Sequence, residues 1–277
     1  MKKIAFLFLT LDNINHPKIW DEYFKGNENK YNIYIHPKYP DKVLWHKDRI
    51  ISNLKDTAWG FITKAYIELL KEAIQDNNNY KFITLSEACI PIQSFDKCYE
   101  LLTKDNDSWI KTMIITKYKF NEVLLKTPGK FIHHYARWCL NRHYVKKILI
   151  NRDKLNFFHN MHIGDEYILS VLHPLRNYKN KEIIFDDWEY TEKLIYSIKN
   201  KIKKLYEEQE KNNNNNNNDK IKKLQTNIKN ISGHPKTIIK VKDDLDKIKK
   251  CPALFYRKFS KDSDINKYWN EIIKSHI

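Results

Sequence analysis

The sequence predicts one α/β domain in which a mixed, mostly parallel sheet is flanked by helices. In the first half of the chain, short apolar runs alternate with stretches whose apolar residues recur at helical spacing. This alternation is typical of a parallel sheet covered by helices. The length of 277 residues suits one large domain with a substantial core. An apolar share of 42% and only five glycines exclude a collagenous or linker-dominated chain.

The first two strands are predicted at residues 4–9 and 31–35, and a helix is predicted between them. Both strand segments are short apolar runs, as expected for buried strands. Between them, four apolar and aromatic side chains recur at helical spacing, which predicts an amphipathic helix that covers the sheet. These side chains are Ile19, Trp20, Tyr23 and Phe24.

A second helix and a third strand follow Trp59. Apolar residues keep the helical period from Ile62 to Ile74 and then reach a polar stop. Residues 80–85 form the third strand, which ends in the turn at 86–91. Since open α/β sheets bind ligands at the carboxyl ends of their strands, we expect the substrate near this turn.

Three further elements are predicted between residues 94 and 150. Ser94 is a suitable N-cap for a helix that ends at Leu102. The β-branched content of residues 109–115 predicts a strand, and residues 144–150 are predicted to form a short helix.

One more helix and one more strand are predicted after residue 160. Gly164 and Asp165 are expected to open a helix over residues 166–172, which Pro174 stops because proline cannot continue a helix. Residues 182–185 then form a late strand.

Residues 197–231 interrupt this pattern and are interpreted as a low-complexity insertion within a domain that covers residues 1–277. Seven consecutive asparagines, 212–218, are flanked by lysine and glutamate runs. Apolar residues at helical spacing on both sides predict two charged helices around a disordered tip. We expect this surface insertion to have no role in chemistry.

The formal net charge of +16 suits an anionic partner such as nucleic acid, a membrane surface or a nucleotide diphosphate. Apart from clusters at 199–204 and 220–223, the basic residues are dispersed, so solvated surface is their more common role. A non-enzymatic nucleic-acid-binding protein is the alternative function, and its affinity would fall steeply with salt.

The cysteines and the amino-terminal segment exclude two further classes of protein. The four cysteines, Cys89, Cys98, Cys139 and Cys251, have neither CxxC nor zinc-site spacing, so we expect buried free thiols rather than disulfides. The apolar run at 4–9 is far shorter than a membrane span and lacks a cleavage site with small residues, so we expect no transmembrane segment and no signal peptide.

Seven short segments in a fixed order resemble one known family. They are KIAFLFLT at 3–10, IYIH at 33–36, WG at 59–60, LSEACIP at 85–91, DEYILSVL at 165–172, GHP at 233–235 and LFYRKFS at 254–260. Together they resemble the core-2/I-branching β-1,6-N-acetylglucosaminyltransferase family, most closely its plant and microbial branch. The resemblance spans nearly the whole chain apart from the asparagine-rich insertion.

The resemblance implies a GT-A-like, Rossmann-like fold and an inverting glycosyltransferase that uses a UDP-sugar and a glycan acceptor. N-acetylglucosamine is the simplest donor sugar, and xylose is the second choice because related xylosyltransferases share these motifs. The resemblance also implies transfer without a divalent metal, so we expect no cofactor and no nucleic-acid partner. A cytoplasmic enzyme encoded by a virus or microbe fits the missing anchor and the sparse cysteines. A catalytically inactive carbohydrate-binding relative is the further alternative.

Glu166 matches the catalytic glutamate of the family and would be the general base. The expected position in the first turn of a helix would favour its ionised form. Asp165 is then the capping or orienting partner on the acceptor side. Without the resemblance, both would be an ordinary acidic first turn of a helix.

Lys258 and Lys236 match basic positions that hold the donor diphosphate in the resembling family. Arg257 and Lys258 lie between Phe255 and Phe259 in a predicted strand, so one should point inward and the other away, and Lys258 is the inward choice. Without the resemblance, these residues would be surface charge.

Contacts with the donor nucleoside are expected from the ends of the first strands. Thr10, His36, Trp59 and Glu87 are the candidates. His36 could equally be a structural histidine and Trp59 a core aromatic. Trp188 resembles an acceptor-site tryptophan of the family, whose ring could stack on a sugar; core packing is the alternative.

Two patterns that could suggest a metal site are interpreted otherwise. Residues 262–264 read Asp-Ser-Asp but lie in a polar segment, where a turn or cap is the expected role. His133 and His134 are neighbours on a strand and should point to opposite faces, so they should not share an ion. The stretch HHYARW at 133–138 departs from the Gly-Ser-Gln-Trp of plant-like members, which affects acceptor choice.

Overall fold

The computed structural model describes residues 1–113, 131–212 and 217–276. Its main sheet has six strands, and the strand Lys3–Thr10 pairs in parallel with two neighbours. In spatial order these strands are β2 (Tyr31–Pro37), β1 (Lys3–Thr10), β3 (Asn79–Ser86), β8 (Cys139–Asn141), β5 (Ser108–Trp109) and β9 (Tyr178–Lys179). Strand β8 is antiparallel to β3 and β5, and β5 is parallel to β9. The sheet is therefore mixed and mostly parallel, as predicted.

The remaining strands of the described residues form two smaller sheets. The first has the order β10 (Ile184–Asp186), β11 (Phe255–Arg257) and β4 (Ile90–Pro91), and the second pairs β6 (Thr112–Met113) with β7 (His133–His134). Because β10 and β11 are parallel and in register, their last residues, Asp186 and Arg257, lie side by side. This pairing places both side chains on one wall of the candidate site.

Helices flank the sheets on both sides. They are α1 (Pro17–Phe24), α2 (Thr63–Ala73), α3 (Phe95–Thr103), α4 (Arg142–Ile150), α5 (Arg152–His159), α6 (Trp188–Asn212), α7 (Asn218–Ile231), α8 (Leu245–Lys249) and α9 (Trp269–Lys274). Short 3-10 turns occur at Pro40–Lys42, Lys47–Arg49, Gly164–Glu166, Ile168–Leu172, Val241–Asp243 and Asp264–Lys267. The architecture is α/β and GT-A-like.

The core lies on both faces of β1. Every residue from 4 to 8 is fully buried, which is expected for a central strand covered by helices on either side. On one face Phe8 packs edge-on against Trp20 of α1, with the ring centroids 5.0 Å apart. On the other face Leu7 packs with Tyr66 and Leu69 of α2. The alternating apolar residues of β1 therefore hold one helix on each side.

Most predicted elements are confirmed with small shifts at their ends. The first three strands, the helices α1, α2 and α4, and the N-cap of α3 are present. The Ser94 hydroxyl accepts a hydrogen bond from the Lys97 N–H at 3.3 Å. All four cysteines are buried free thiols, as predicted. No helix in the described ranges, 1–113, 131–212 and 217–276, is long and apolar enough to cross a membrane.

The helix predicted over residues 166–172 is wrong. This segment forms the two 3-10 turns Gly164–Glu166 and Ile168–Leu172, separated at Tyr167. Contacts distant in sequence override the helical period, because the Gly60 carbonyl accepts the Ile163 N–H at 2.6 Å and fixes Ile163 at a φ of 54°. Glu166 is therefore not in the first turn of an α-helix, and no helix N-terminus favours its ionised form.

The strand predicted over residues 109–115 is also wrong in its length. Residues 108–109 belong to the main sheet, whereas 112–113 pair with β7 in a different sheet. The chain changes sheets between them, which a run of β-branched residues does not reveal. The end of the predicted strand, 114–115, lies outside the described residues.

The two charged helices predicted around the asparagine run are present as α6 and α7. Helix α6 begins at Trp188 and continues without a break through the boundary predicted at residue 197. The Gln209 amide donates to the Asn218 side chain at 2.9 Å, which joins the two helices near their far ends. Of the asparagine run at 212–218 that was predicted as a disordered tip, Asn212 ends α6 and Asn218 begins α7, while 213–216 lie outside the described residues.

Candidate active site

A cleft of about 300 Å³ lies where β3, β10 and β11 end. Glu87 follows β3, while Asp186 and Arg257 are the last residues of β10 and β11. The loop before α2, the segment after β7, the turn at 163–166 and the segment at 233–235 supply the rest of the lining. Chain segments far apart in sequence therefore converge at the carboxyl ends of strands, where the sequence predicted the substrate.

Glu166 lies on one wall of the cleft at the end of a tightly held turn. Gly164 at the start of this turn packs so closely that a Cβ there would collide with the Phe158 carbonyl oxygen, and only glycine fits. The Glu166 carboxylate contacts His133, with Nε2 and Oε2 3.0 Å apart, and its side chain stays 30% exposed. A substrate can reach this carboxylate.

Asp165 lies beside Glu166 and is almost completely buried. Burial raises the pKa of its carboxyl to about 6, the Arg137 guanidinium opposes this rise, and the Glu166 charge adds to it. The predicted capping role is wrong, because Ile163 precedes the turn and no side chain caps it. Asp165 instead forms part of the cleft lining.

The opposite charge in the cleft comes from Arg257 and Lys258. The Arg257 guanidinium donates to Asp186 at 2.9 Å and to the Ser86 hydroxyl at 3.2 Å, so it is held in one orientation. Lys258 is half-buried. Burial and the Arg257 charge lower the pKa of Lys258, whereas Glu87 and Asp186 raise it.

The prediction that only one of these two cations faces inward is wrong. Both Arg257 and Lys258 line the cleft. Strand β11 ends at Arg257, so the alternation of a strand does not extend to the next side chain.

Two tryptophans present aromatic faces to the cleft. Trp59 is 63% exposed and lies between the rings of His162 and His234, at centroid distances of 5.1 and 6.2 Å. Trp188 lines the cleft at the first position of α6. Trp59 is therefore not a core aromatic.

Three of the predicted donor-site residues are engaged elsewhere. Within the described part of the chain, Thr10, His36 and Lys236 are not among the residues that line the cleft. The Thr10 hydroxyl donates to the Asp12 carbonyl at 2.7 Å, and His36 Nε2 accepts the Lys55 N–H at 2.9 Å. Lys236 forms an ion pair with Asp244 at 2.5 Å.

Comparison with known proteins identifies the family. The model of the Core-2/I-Branching enzyme family matches residues 4–168, which is more than half of the chain. The chain belongs to the core-2/I-branching enzyme family. The match includes Trp59, Glu87 and Glu166 and ends before Arg257 and Lys258, so the cationic wall of the cleft lies outside the matched segment.

One curated relative of this chain is Glycosyltransferase BC10 of Oryza sativa subsp. japonica. The two are 26% identical over 126 residues, which cover 42% of this chain and 31% of BC10. The chain therefore matches about a third of that relative's length. Among solved structures, the crystal structure of A197 from STIV aligns at 10% identity over 52% of this chain and 68% of A197. Its TM-score of 0.28 supports no inference.

Two candidate site residues were not predicted from the sequence. Arg137 lies in the cleft lining and donates to the Tyr66 hydroxyl and, at 3.3 Å, to the Ala136 carbonyl. His133 contacts Glu166. In the sequence, the departure of residues 133–138 from the family pattern is the feature that could have pointed to both residues. Arg142, by contrast, donates to the backbone carbonyls at 74, 76 and 79 and is structural.

The patterns that could suggest metal binding form no metal site in the part of the chain that the structure describes. No group of three or more His, Cys, Asp or Glu side chains there is arranged to hold an ion. His134 points away from its neighbour His133, since its Nδ1 donates to the Tyr135 carbonyl and its Nε2 accepts the Leu169 N–H. The Asp264 carboxylate accepts the Val241 N–H at 2.8 Å, as predicted for a turn.

Proposed function

We propose that this chain is an inverting glycosyltransferase that moves a sugar from a UDP-sugar to a hydroxyl group of a glycan. N-acetylglucosamine is the simplest choice of donor sugar. The observation that carries the proposal is that one cleft contains an accessible carboxylate, Glu166, together with two cationic side chains, Arg257 and Lys258. The family and the relative named as a glycosyltransferase support the same reaction class.

Glu166 acts as the general base in this proposal. The acceptor hydroxyl oxygen attacks the anomeric carbon of the donor while the bond from that carbon to the diphosphate oxygen breaks. The proton of the hydroxyl passes to the Glu166 carboxylate, and UDP leaves from the opposite face of the sugar. Such proton transfer contributes about 10² to 10⁴ in rate, and it requires a carboxylate that the substrate can reach.

Arg257 and Lys258 bind the diphosphate and stabilise the charge that develops on it. Asp186 and Ser86 hold the Arg257 guanidinium in place before the substrate arrives, so little reorganisation accompanies binding. A bound diphosphate also favours the charged form of Lys258, which offsets the lowering of its pKa by burial. Lys236 contributes less to diphosphate binding, because its ammonium group would first have to break the ion pair with Asp244.

The remaining lining recognises sugar and nucleoside. Trp59 and Trp188 provide aromatic faces that can stack on the apolar face of a sugar ring or on uracil. The Asp165 and Glu87 carboxylates can accept hydrogen bonds from sugar hydroxyl groups or from the imide N–H of uracil. The acceptor glycan binds on the side of Trp188 and Asp165. We propose that no divalent metal takes part, since the two cations perform its task.

The test measures UDP release from a panel of UDP-sugars, with galactosides and N-acetylhexosaminides as acceptors, with and without EDTA. For Glu166→Gln we expect kcat to fall by about 10³ while the Kd of the donor changes less than about twofold, because the base acts on the acceptor proton only. EDTA should change neither kcat nor KM.

Glu28→Gln, in an exposed loop before β2, is the matched control and should keep wild-type turnover. Turnover by Glu166→Gln at the wild-type rate would exclude Glu166 as the base. Failure to bind any UDP-sugar, combined with salt-sensitive oligonucleotide binding, would support the nucleic-acid alternative instead.

A further inference from the structure

The contact between His133 and Glu166 joins a buried side chain to an accessible one. His133 is 2% exposed, whereas the Glu166 side chain keeps 30% of its surface accessible. Because no substrate atom can reach the His133 ring, this histidine cannot take the acceptor proton itself. Its effect on the reaction must act through Glu166.

The His133 ring is held in a defined plane and direction. It stacks on Tyr167, with the ring centroids 4.8 Å apart and the planes 10° apart. Its backbone lies in β7, in register with Met113 of β6. The residue after Glu166 and a strand pair distant in sequence thus aim the imidazole at the carboxylate.

The hydrogen-bond partners of the ring identify the tautomer. Nδ1 of His133 is buried and has no partner among the described residues. A proton on Nδ1 would leave a buried N–H unsatisfied, and a bare Nε2 would direct its lone pair at the carboxylate of Glu166. The arrangement with the fewest unsatisfied groups has the proton on Nε2, which donates to Oε2.

We propose that His133 is the positioning residue of the catalytic base. Its Nε2–H holds Oε2 of Glu166, so that Oε1 is left to accept the proton of the acceptor hydroxyl. This inference rests on the proposed function, in which Glu166 is the general base.

Other charged and ionisable groups also act on this site. Asp165 and Tyr167 adjoin Glu166 in sequence, Tyr135 follows β7, and Arg137 acts on Asp165. They are unchanged in the variants below. All three variants lack the ring that stacks on Tyr167, so the difference between Asn and Gln reports on the hydrogen bond to Glu166.

The experiment compares His133→Leu, His133→Asn and His133→Gln in the UDP-release assay. Leu has no donor, and the Asn amide is too short to reach Oε2, whereas the Gln amide nitrogen lies near the position of Nε2. We expect kcat to fall about 10- to 100-fold in the Leu and Asn variants, with donor KM within about twofold, because supporting hydrogen bonds are worth this much in comparable sites. Gln should recover most of the loss.

Rescue by Gln separates positioning from mere structural support. A general loss of structure would lower kcat in all three variants, and the Gln amide would not restore it. His134→Leu is the matched control: it removes a buried neighbour without contact to Glu166, so it should lower the Tm and leave kcat near its wild-type value.

Wild-type kcat in both His133→Leu and His133→Asn, with Glu166→Gln inactive, would overturn the inference. A wild type that transfers no sugar, or an active Glu166→Gln, would overturn the proposed function first. If His133→Leu does not fold, the comparison of Asn with Gln decides, because both variants keep a polar amide at this position.

Discussion

At the scale of single residues, Asp165 shows how burial governs a charged group in the cleft. The residue is 5% exposed, and the charge of Arg137 does not offset the desolvation of its carboxyl, so the pKa in the folded state is about 6 instead of the ordinary 3.8. Between these two values the folded protein binds a proton that the unfolded chain has released. The contribution of Asp165 to stability is therefore most favourable below about pH 4 and decreases until about pH 6.

Asp165→Asn should remove this dependence. The amide has nearly the same shape and no charge, so the free energy of unfolding of the variant minus that of the wild type should rise between pH 4 and pH 6, by at most about 3 kcal/mol. Urea denaturation at several pH values measures the difference, in which the titration of all other groups cancels. A difference that is constant across this range would contradict the assigned pKa.

At the scale of elements, two helices begin with the same kind of cap in different surroundings. The Ser94 hydroxyl caps α3 near the surface. The Asn141 carbonyl oxygen accepts the Tyr144 N–H at 2.8 Å to cap α4, and its amide donates to the Asn106 carbonyl at 2.6 Å in a buried site. Comparing the two caps therefore measures how much burial adds to the stability that an N-cap contributes.

Ser94→Ala should cost about 1 kcal/mol of stability, the usual value for a lost N-cap. Asn141→Ala should cost about 2 to 3 kcal/mol, because it also leaves buried backbone groups without partners. Urea denaturation of both variants checks the difference. Equal losses would mean that the second hydrogen bond of Asn141 adds nothing.

Elements with a strong local pattern could be predicted from the sequence, and those set by distant contacts could not. The period from Ile62 to Ile74 and the apolar residues of β1 describe surfaces that must be buried, so α2 and β1 were found. The turn at 164–166 depends on the Gly60 carbonyl, and the inward direction of both Arg257 and Lys258 depends on where β11 ends. Neither dependence is visible in a local window.

The candidate site could be predicted only where its residues belong to short sequence motifs. Motif order led to Glu166, Trp59, Glu87 and Lys258, all of which line the cleft. The sequence could not show that His133 contacts Glu166 across 33 residues, because that contact depends on the pairing of β6 with β7.

At the scale of the whole molecule, the hairpin of α6 and α7 begins and ends at the cleft, and no described residue between 189 and 232 lines it. Trp188 starts α6, and the segment at 233–235 follows α7, and both line the cleft. Between these ends the hairpin has few buried side chains, among them Ile198 and Ile221. Its distal part should therefore be separable from the chemistry.

Replacing residues 203–222 by a short Gly-Ser linker should leave kcat and both KM values within about twofold of wild type, because the shortened helices keep their ends at the cleft. Trp188→Ala is the control at the base of the same hairpin and should raise the KM of the acceptor. A loss of turnover above tenfold in a folded deletion variant would show that the distal hairpin contributes to the site.

The position of β11 between β10 and β4 decides when the cleft can form during synthesis. A ribosome works from the amino terminus, so residues 90–91 and 184–186 leave it long before 255–257. Until then β4 and β10 lack the strand that joins them, and Arg257 and Lys258 have not been made. A nascent chain thus contains Glu166 well before it contains the two cations that line the same cleft. The complete cleft can form only after residues 257 and 258 have left the ribosome.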